Sequence, residues 1–170
     1  MSDLKPIDRR LLFELVKNCR RSDRDLAKIL NVSQPTITRK RAFIEKEFID
    51  SYTAIPKWSK IGYNLFVITI VKIKADVASK EKYDAVRKRA LLWLSRQPNV
   101  LMSTGSRGGG VDSFMISLHK TYADFDKFVH DYRLELGDLI DDSQSVIVNL
   151  AGDEVVRHFS LKSLADAETK

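Results

Sequence analysis

Between Ser33 and Arg41 the chain reads Ser-Gln-Pro-Thr-Ile-Thr-Arg-Lys-Arg, a run in which most side chains can donate or accept a hydrogen bond. Arg39 and Gln34 carry planar, two-pronged groups that read base edges bidentately, and Thr38 can bond a base or touch a thymine methyl. Lys40 and Arg41, with Arg20, Arg21 and Arg24 upstream, have the charges that neutralise phosphate. Ser33 and Thr36, at the start of the same run, complete the candidate set. Other chemistry has little to build on. His119 and His130 are too isolated for a metal site, and His158 has no Cys or carboxylate cluster at ligand spacing. No nucleophile, base and orienting group can be assembled, so no catalytic residue, metal or cofactor is expected.

The elements that must position these groups are legible upstream. Ile7, Leu11, Leu12, Leu15, Val16 and Cys19 recur at helical spacing and make one apolar stripe. Ser22-x-x-Asp25 starts a second helix, because the hydroxyl can satisfy a free backbone N–H and the carboxylate favours the positive helix end. Leu26, Ala27 and Leu30 give that helix its buried side. Asn31 tolerates the left-handed turn that ends it, Val32 plugs the corner, and Ser33 caps a third helix with Pro35 in its first turn. Ala27, Asn31, Val32 and Ile37 stand at the spacing of a helix-turn-helix: a small residue at the crossing, a turn-former, a corner hydrophobe and an anchor. With Ile37 inward, Pro35, Thr38, Arg39 and Ala42 face outward and Gln34 lies on the flank. One feature departs from this regularity. An apolar residue is due about a turn after Ile37, and Lys40 and Arg41 stand there instead; either their stems snorkel or the helix packs on a shifted face.

Charge is distributed to match. The 170 residues carry 29 Lys and Arg against 23 Asp and Glu, a net of +6. Residues 1–60 hold 14 basic and 8 acidic groups, and residues 61–170 hold 15 of each. The whole excess therefore sits beside the candidate helix-turn-helix, which points to double-stranded DNA as partner. At 44% hydrophobic the chain can build a core, and its length allows one ordinary domain or two small ones. No apolar run approaches a membrane span, the first residues have no signal-peptide character, and the lone Cys19 fits a reducing compartment. These features together predict a soluble cytoplasmic protein.

The remainder predicts a β-α-β-β-α-β order, the ferredoxin-like arrangement. Ile49 to Ile55 reads as a short connecting strand and Trp58 to Asn64 as a linker. Leu65 to Lys74 is a β-branched strand with two apolar faces, Phe66, Ile68 and Ile70 against Val67, Val71 and Ile73. A domain this small lacks the mass to cover both, so a second subunit is a natural second layer. A helix follows at 79–96, with Tyr83, Val86, Ala90 and Leu94 on one face. Strands come at 100–106 and 113–119, joined through Gly108-Gly-Gly110. Thr121-x-x-Asp124 caps a helix that buries Tyr122, Phe125, Val129, Tyr132 and Leu136, with Gly137 closing it. A strand at 143–150 and a short fifth at 155–161 finish the order. Trp58 and Trp93 are expected at domain or subunit surfaces.

In these pieces the chain resembles the Lrp/AsnC, or feast/famine, family of prokaryotic transcription regulators over about residues 7 to 161. The resemblance lies in Ile7-Asp-Arg-Arg-Leu-Leu12, Asp25-Leu-Ala-Lys28, Val32-Ser-Gln-Pro-Thr-Ile-Thr-Arg39, Tyr52-Thr-Ala54 with Lys60-Ile-Gly62, and Gly109-Gly-Val-Asp112. It implies an α+β protein: an N-terminal winged-type helix-turn-helix (1–50), a connecting strand and linker (51–64), a ferredoxin-like βαββαβ effector and dimerisation domain (65–161), and a C-terminal tail (162–170). It implies homodimers that assemble further into tetramers or octamers, and an amino acid or related metabolite bound near the Gly-x-x-Asp loop. The matching positions here are Gly109, Gly110 and Asp112, with Thr104 facing them. For Asp112 the plainer reading is a carboxylate that stabilises a turn. The chain departs from the family in lacking Gly after Ile44-Glu-Lys-Glu47, which lengthens the third helix or changes the angle between domains. Two other readings share the fold: a sirohaem-type tetrapyrrole decarboxylase, for which His119 and His158 are the residues to watch, and an architectural DNA-binding protein.

Overall fold

The computed structural model describes residues 4–77, 80–152, 155, 157 and 159–169. The chain divides into two units, residues 1–55 with 157–170, and residues 56–156.

The first unit is helical. α1 (Pro6–Lys17), α2 (Asp23–Leu30) and α3 (Gln34–Glu47) enclose Leu11, Leu15, Leu26, Ala27, Leu30, Ile37 and Ile44. Leu11, Leu26, Ile37 and Ile44 lose all contact with solvent. The absence of Gly after Glu47 has its consequence here: α3 runs 14 residues and stops only at Phe48. Residues 49–57 form no strand, contrary to the sequence expectation for Ile49 to Ile55. A strand needs a neighbour for its backbone groups, and Tyr52 and Ile55 stand about half exposed instead. Residues 162–167, expected as part of a tail, make a short helix, α6 (Lys162–Ala167). Its Ala165 is fully buried, and Lys17 of α1 reaches Asp166 at 3.2 Å.

The second unit is a four-stranded antiparallel sheet with two helices. β1 (Leu65–Ile73), β2 (Val100–Gly105), β3 (Ser113–His119) and β4 (Ile140–Asn149) lie in the order β2-β3-β1-β4. α4 (Lys80–Leu94) and α5 (Tyr122–Leu136) complete the βαββαβ sequence. Val67, Val71 and Met115 from the sheet meet Trp93, Phe125, Phe128, Tyr132 and Leu136 from the helices. Trp93 is thus a core residue, not a surface one: its ring lies 5.4 Å from that of Phe128 and 5.5 Å from that of Tyr132. Thr121 and Asp124 form the full capping box that starts α5. Two details of α5 differ from expectation. Tyr122 is exposed and Phe128 takes the buried position, because the inward stripe runs 125, 128, 132, 136. Gly137 stays right-handed, and it is glycine because a Cβ there would collide with the Arg133 carbonyl. β4 starts at Ile140, three residues before the expected strand. The expected fifth strand at 155–161 includes residues outside the described set, as does His158; Tyr83 lies among side chains that are not described.

The sheet's two faces differ. Thr69, Val67 and Val71 point to the helices. On the other face Phe66, Ile68 and Ile70 align with Leu118, Ile116 and Phe114 of β3, and with Val148, Val146 and Gln144 of β4. Neither helix of this unit lies on that face, and Val146, Val148 and Met102 are exposed there.

Candidate nucleic-acid interface

The helix-turn-helix is built as its residue types dictate. The Ser22 hydroxyl accepts the Asp25 N–H at 3.1 Å and starts α2. Asn31 adopts φ 54° and ψ 53°, so the Val32 N–H returns to the Ala27 carbonyl at 3.0 Å and the chain turns into α3. Ser33 takes the extended N-cap conformation, but its hydroxyl pairs with Thr36 Oγ1 at 2.8 Å and makes no cap to a backbone N–H. With Ile37 and Ile44 buried, α3 turns Gln34, Pro35, Thr38 and Arg39 to solvent.

The basic residues separate into two groups. Lys40 Nζ lies 2.5 Å from Oδ1 of Asp8, a buried carboxylate on α1. Arg41 bonds Glu45 Oε1 at 2.8 Å, Asp23 Oδ1 at 3.1 Å and the carbonyls of Arg21 and Cys19 at 3.1 Å each. Its hydrogen bond to Glu45, then that to Asp23, holds its pKa above the ordinary arginine range. Arg21 pairs with Glu14, which is also buried and also bonded by Lys17 at 2.9 Å. Lys40, Arg41 and Arg21, read from sequence as phosphate ligands, therefore hold the helices together. This resolves the interrupted stripe of α3: the two cations stand on its inward side because acids wait there, with their stems packed beneath. Arg20, Arg24 and Arg39 have no ion-pair or side-chain hydrogen-bond partner among the described residues and are exposed.

Asp8, Glu14 and Asp23 are the acidic partners of these cations, which sequence reasoning missed. Asp23 accepts a hydrogen bond from Thr38 Oγ1 at 2.7 Å, and this bond first, with Arg41 beside it, holds its carboxyl below the usual range. The available signal was the misplaced pair Lys40-Arg41, since cations on an inner face require acids opposite them.

In the sheet unit the four other candidate residues lie on one hairpin. Thr104 is exposed near the end of β2, opposite Phe114. Gly108, Gly109 and Gly110 have φ of 105°, 64° and 73°, which only glycine adopts in succession at low cost. Asp112 ties the hairpin loop to the end of β1. Its Oδ2 accepts the Ile73 N–H at 2.8 Å, and its own N–H donates to the Val71 carbonyl at 2.9 Å. His119 is buried between Phe125 and Phe128, with Nε2 2.9 Å from Ser117 Oγ. Burial lowers its pKa, Asp124 opposing, so the ring favours its neutral form. His130 is exposed. Among the described residues no helix is long and apolar enough to cross a membrane.

Comparison with known proteins meets this geometry at the turn. Residues 5–41 match the family model of the AsnC-type helix-turn-helix domain. No curated protein sequence matches the chain. Among solved structures, a transcriptional regulator from Neisseria meningitidis in complex with L-Met superposes with a TM-score of 0.75 at 22% identity, over 95% of this chain and 99% of that one. An AsnC family transcriptional regulator from Agrobacterium tumefaciens gives 0.71 at 20%, over 95% and 99%. AsnC of E. coli gives 0.67 at 18%, over 93% and 99%. The N-terminal segment thus matches the AsnC-type helix-turn-helix domain, and the whole chain has the fold of these solved structures.

Proposed function

We propose that this chain, with its AsnC-type helix-turn-helix, is a sequence-specific DNA-binding transcription regulator that acts in the cytoplasm as a homodimer. The observation that carries the proposal is the coincidence of the matched domain at 5–41 with a formed turn at Asn31 and an outward row of Gln34, Pro35, Thr38 and Arg39. In this reading Arg39, Gln34 and Thr38 meet base edges. Ser33 and Thr36 lie at the start of the same helix, and Arg20 and Arg24 meet phosphate. The open apolar face of the sheet supports dimerisation, because an exposed patch of this kind is a cost that a second copy removes. Two copies then present two reading helices to two half-sites. Further assembly to tetramers or octamers would need a second, different contact, because a two-fold interface closes on itself.

An amino acid or related metabolite is the proposed effector. The structural neighbour from N. meningitidis is a complex with L-Met, and the Gly109-Gly110 loop supplies backbone N–H groups suited to a carboxylate. Asp112 offers an ammonium only the oxygen not already bonded to Ile73, and Thr104 stands on the same hairpin.

Selection from a random duplex library at near-physiological salt tests the reading. A pseudo-palindromic motif, with half-sites about one helical turn apart or a multiple of it, is expected. Salt-sensitive binding without a motif replaces it with the architectural reading. No binding at all overturns it, and makes added tetrapyrrole the next ligand to assay. Where a motif is found, amino acids are then added singly and the affinity for it measured again.

A further inference from the structure

We propose that Asp23 fixes the polarity with which Thr38 reads DNA, so that Thr38 faces a base only as a hydrogen-bond acceptor and a methyl group. The inference rests on the DNA-binding reading above. A threonine hydroxyl has one hydrogen and two acceptor lone pairs. Thr38 Oγ1 lies 2.7 Å from Asp23 Oδ2 and 3.2 Å from the Gln34 carbonyl oxygen. A carboxylate and a carbonyl can only accept, so while Asp23 holds the hydrogen none remains for a base. The shorter contact is to the charged partner, which makes the stronger bond.

Asp23 cannot easily turn away. Its other oxygen, Oδ1, accepts from Arg41 Nη1 at 3.1 Å, and Arg41 is itself held by Glu45 and by two backbone carbonyls. Asp23 is also the first residue of α2, where the helix dipole favours a negative charge. The carboxylate is therefore gripped at both oxygens, and the arginine offsets its repulsion of nearby phosphate. Asp23 is a positioning residue: it acts on the base through Thr38.

The consequence for recognition follows from the edges that bases show in the major groove. Adenine and cytosine present an amino group that can donate to Thr38, and thymine presents a methyl that packs on the threonine methyl. Guanine presents two acceptors and nothing for Thr38 to accept. The base whose edge faces Thr38 is thus A, C or T, and G is excluded there.

The test is selection from a random duplex library with the wild-type chain, Asp23→Ala and Thr38→Val, each checked for its melting temperature. The wild type is expected to deplete G about tenfold at one position of each half-site. Asp23→Ala leaves the hydroxyl only the longer, neutral contact to the Gln34 carbonyl, from which a base acceptor can draw the hydrogen, and should bring G back to within about threefold of the other bases at that position alone. Thr38→Val keeps the methyl, leaves the Asp23–Arg41 pair in place and removes the acceptor; it should narrow the same position toward T while G stays excluded. An unchanged profile in Asp23→Ala, or one weakened equally at all positions, overturns the proposal while the DNA-binding reading stands. Should Asp23→Ala fail to fold, Thr38→Val decides alone, and an unchanged profile there overturns it too. A wild-type chain that selects no motif removes the reading on which the proposal rests.

Discussion

The two units solve the same packing problem with different materials. In the sheet unit the core between sheet and helices is aromatic and aliphatic, Trp93, Phe125, Phe128 and Tyr132 over Val67, Val71 and Met115. Its buried polar groups are hydrogen-bonded, Ser117 with the buried His119 and Thr69 with Ser145 at the exposed strand β4. In the helical unit seven apolar residues form the core, and buried acids at Asp8 and Glu14 extend it by receiving Lys40, Lys17 and Arg21. Three short helices enclose too little volume for a large apolar core. Long basic side chains fill the remaining space with their stems and are neutralised at their tips. A count of cations therefore overstates how many a surface offers, while the net excess of residues 1–60 is unchanged, since each inward cation is matched by an acid already counted.

That contrast can be broken or sharpened by substitution. Trp93→Ala should cost the sheet unit about 3–5 kcal/mol, as a large cavity in an apolar core does, measured by urea unfolding. Lys40→Ala should destabilise the helical unit by about 1–3 kcal/mol by leaving Asp8 unpaired. The paired replacement Asp8→Leu with Lys40→Met should return to within about 1 kcal/mol of wild type, since apolar groups of similar size can stand in for a buried ion pair. A Lys40→Ala chain of unaltered stability but weakened DNA binding would erase the distinction between inward and outward cations. Arg39→Ala should keep its melting temperature and lose about 1–3 kcal/mol of discrimination between bases. Arg20→Ala should instead weaken binding to all sequences alike and lower the salt slope by about 1. The smallest effect is one of pH. His119 has its pKa lowered from 6.5 by burial, so the unfolded chain binds the proton more readily than the folded one. Its contribution to stability is fully present above about 6.5 and falls as the pH drops below it. His119→Gln should flatten that limb of the stability curve.

What is legible in the sequence is what depends on local rules. The turn at Asn31, the cap at Thr121 and Asp124, and the apolar alternation of β1 each follow from one or two residues obeying neighbours a few positions away. Sequence reasoning fails where a residue's fate depends on distant partners. Ile49 to Ile55 has strand composition, yet a strand is a property of two segments, and no second one pairs with it among the described residues. Lys40, Arg41 and Arg21 look like phosphate ligands until Asp8, Asp23, Glu45 and Glu14 are brought beside them. Arg39 shows the converse. Its neighbours in space add nothing to its neighbours in sequence, so its outward place follows from the helical repeat alone. Trp93 escapes a local rule because a large aromatic on a half-polar helix suits a core and an interface equally well, and only the ring stack with Phe128 and Tyr132 decides.

The helical unit has one more property, set by the order in which its parts are made. α1, α2 and α3 leave the ribosome first, but α6, whose Ala165 seals against them, is translated only after residues 56–156. Until then the flank of α1 that receives it stays in water, and Lys17 lacks Asp166. The helical unit is therefore fully packed only on chains that have already synthesised their sheet. A ribosome that stops early releases a helical unit whose α1 still lacks the cover of α6.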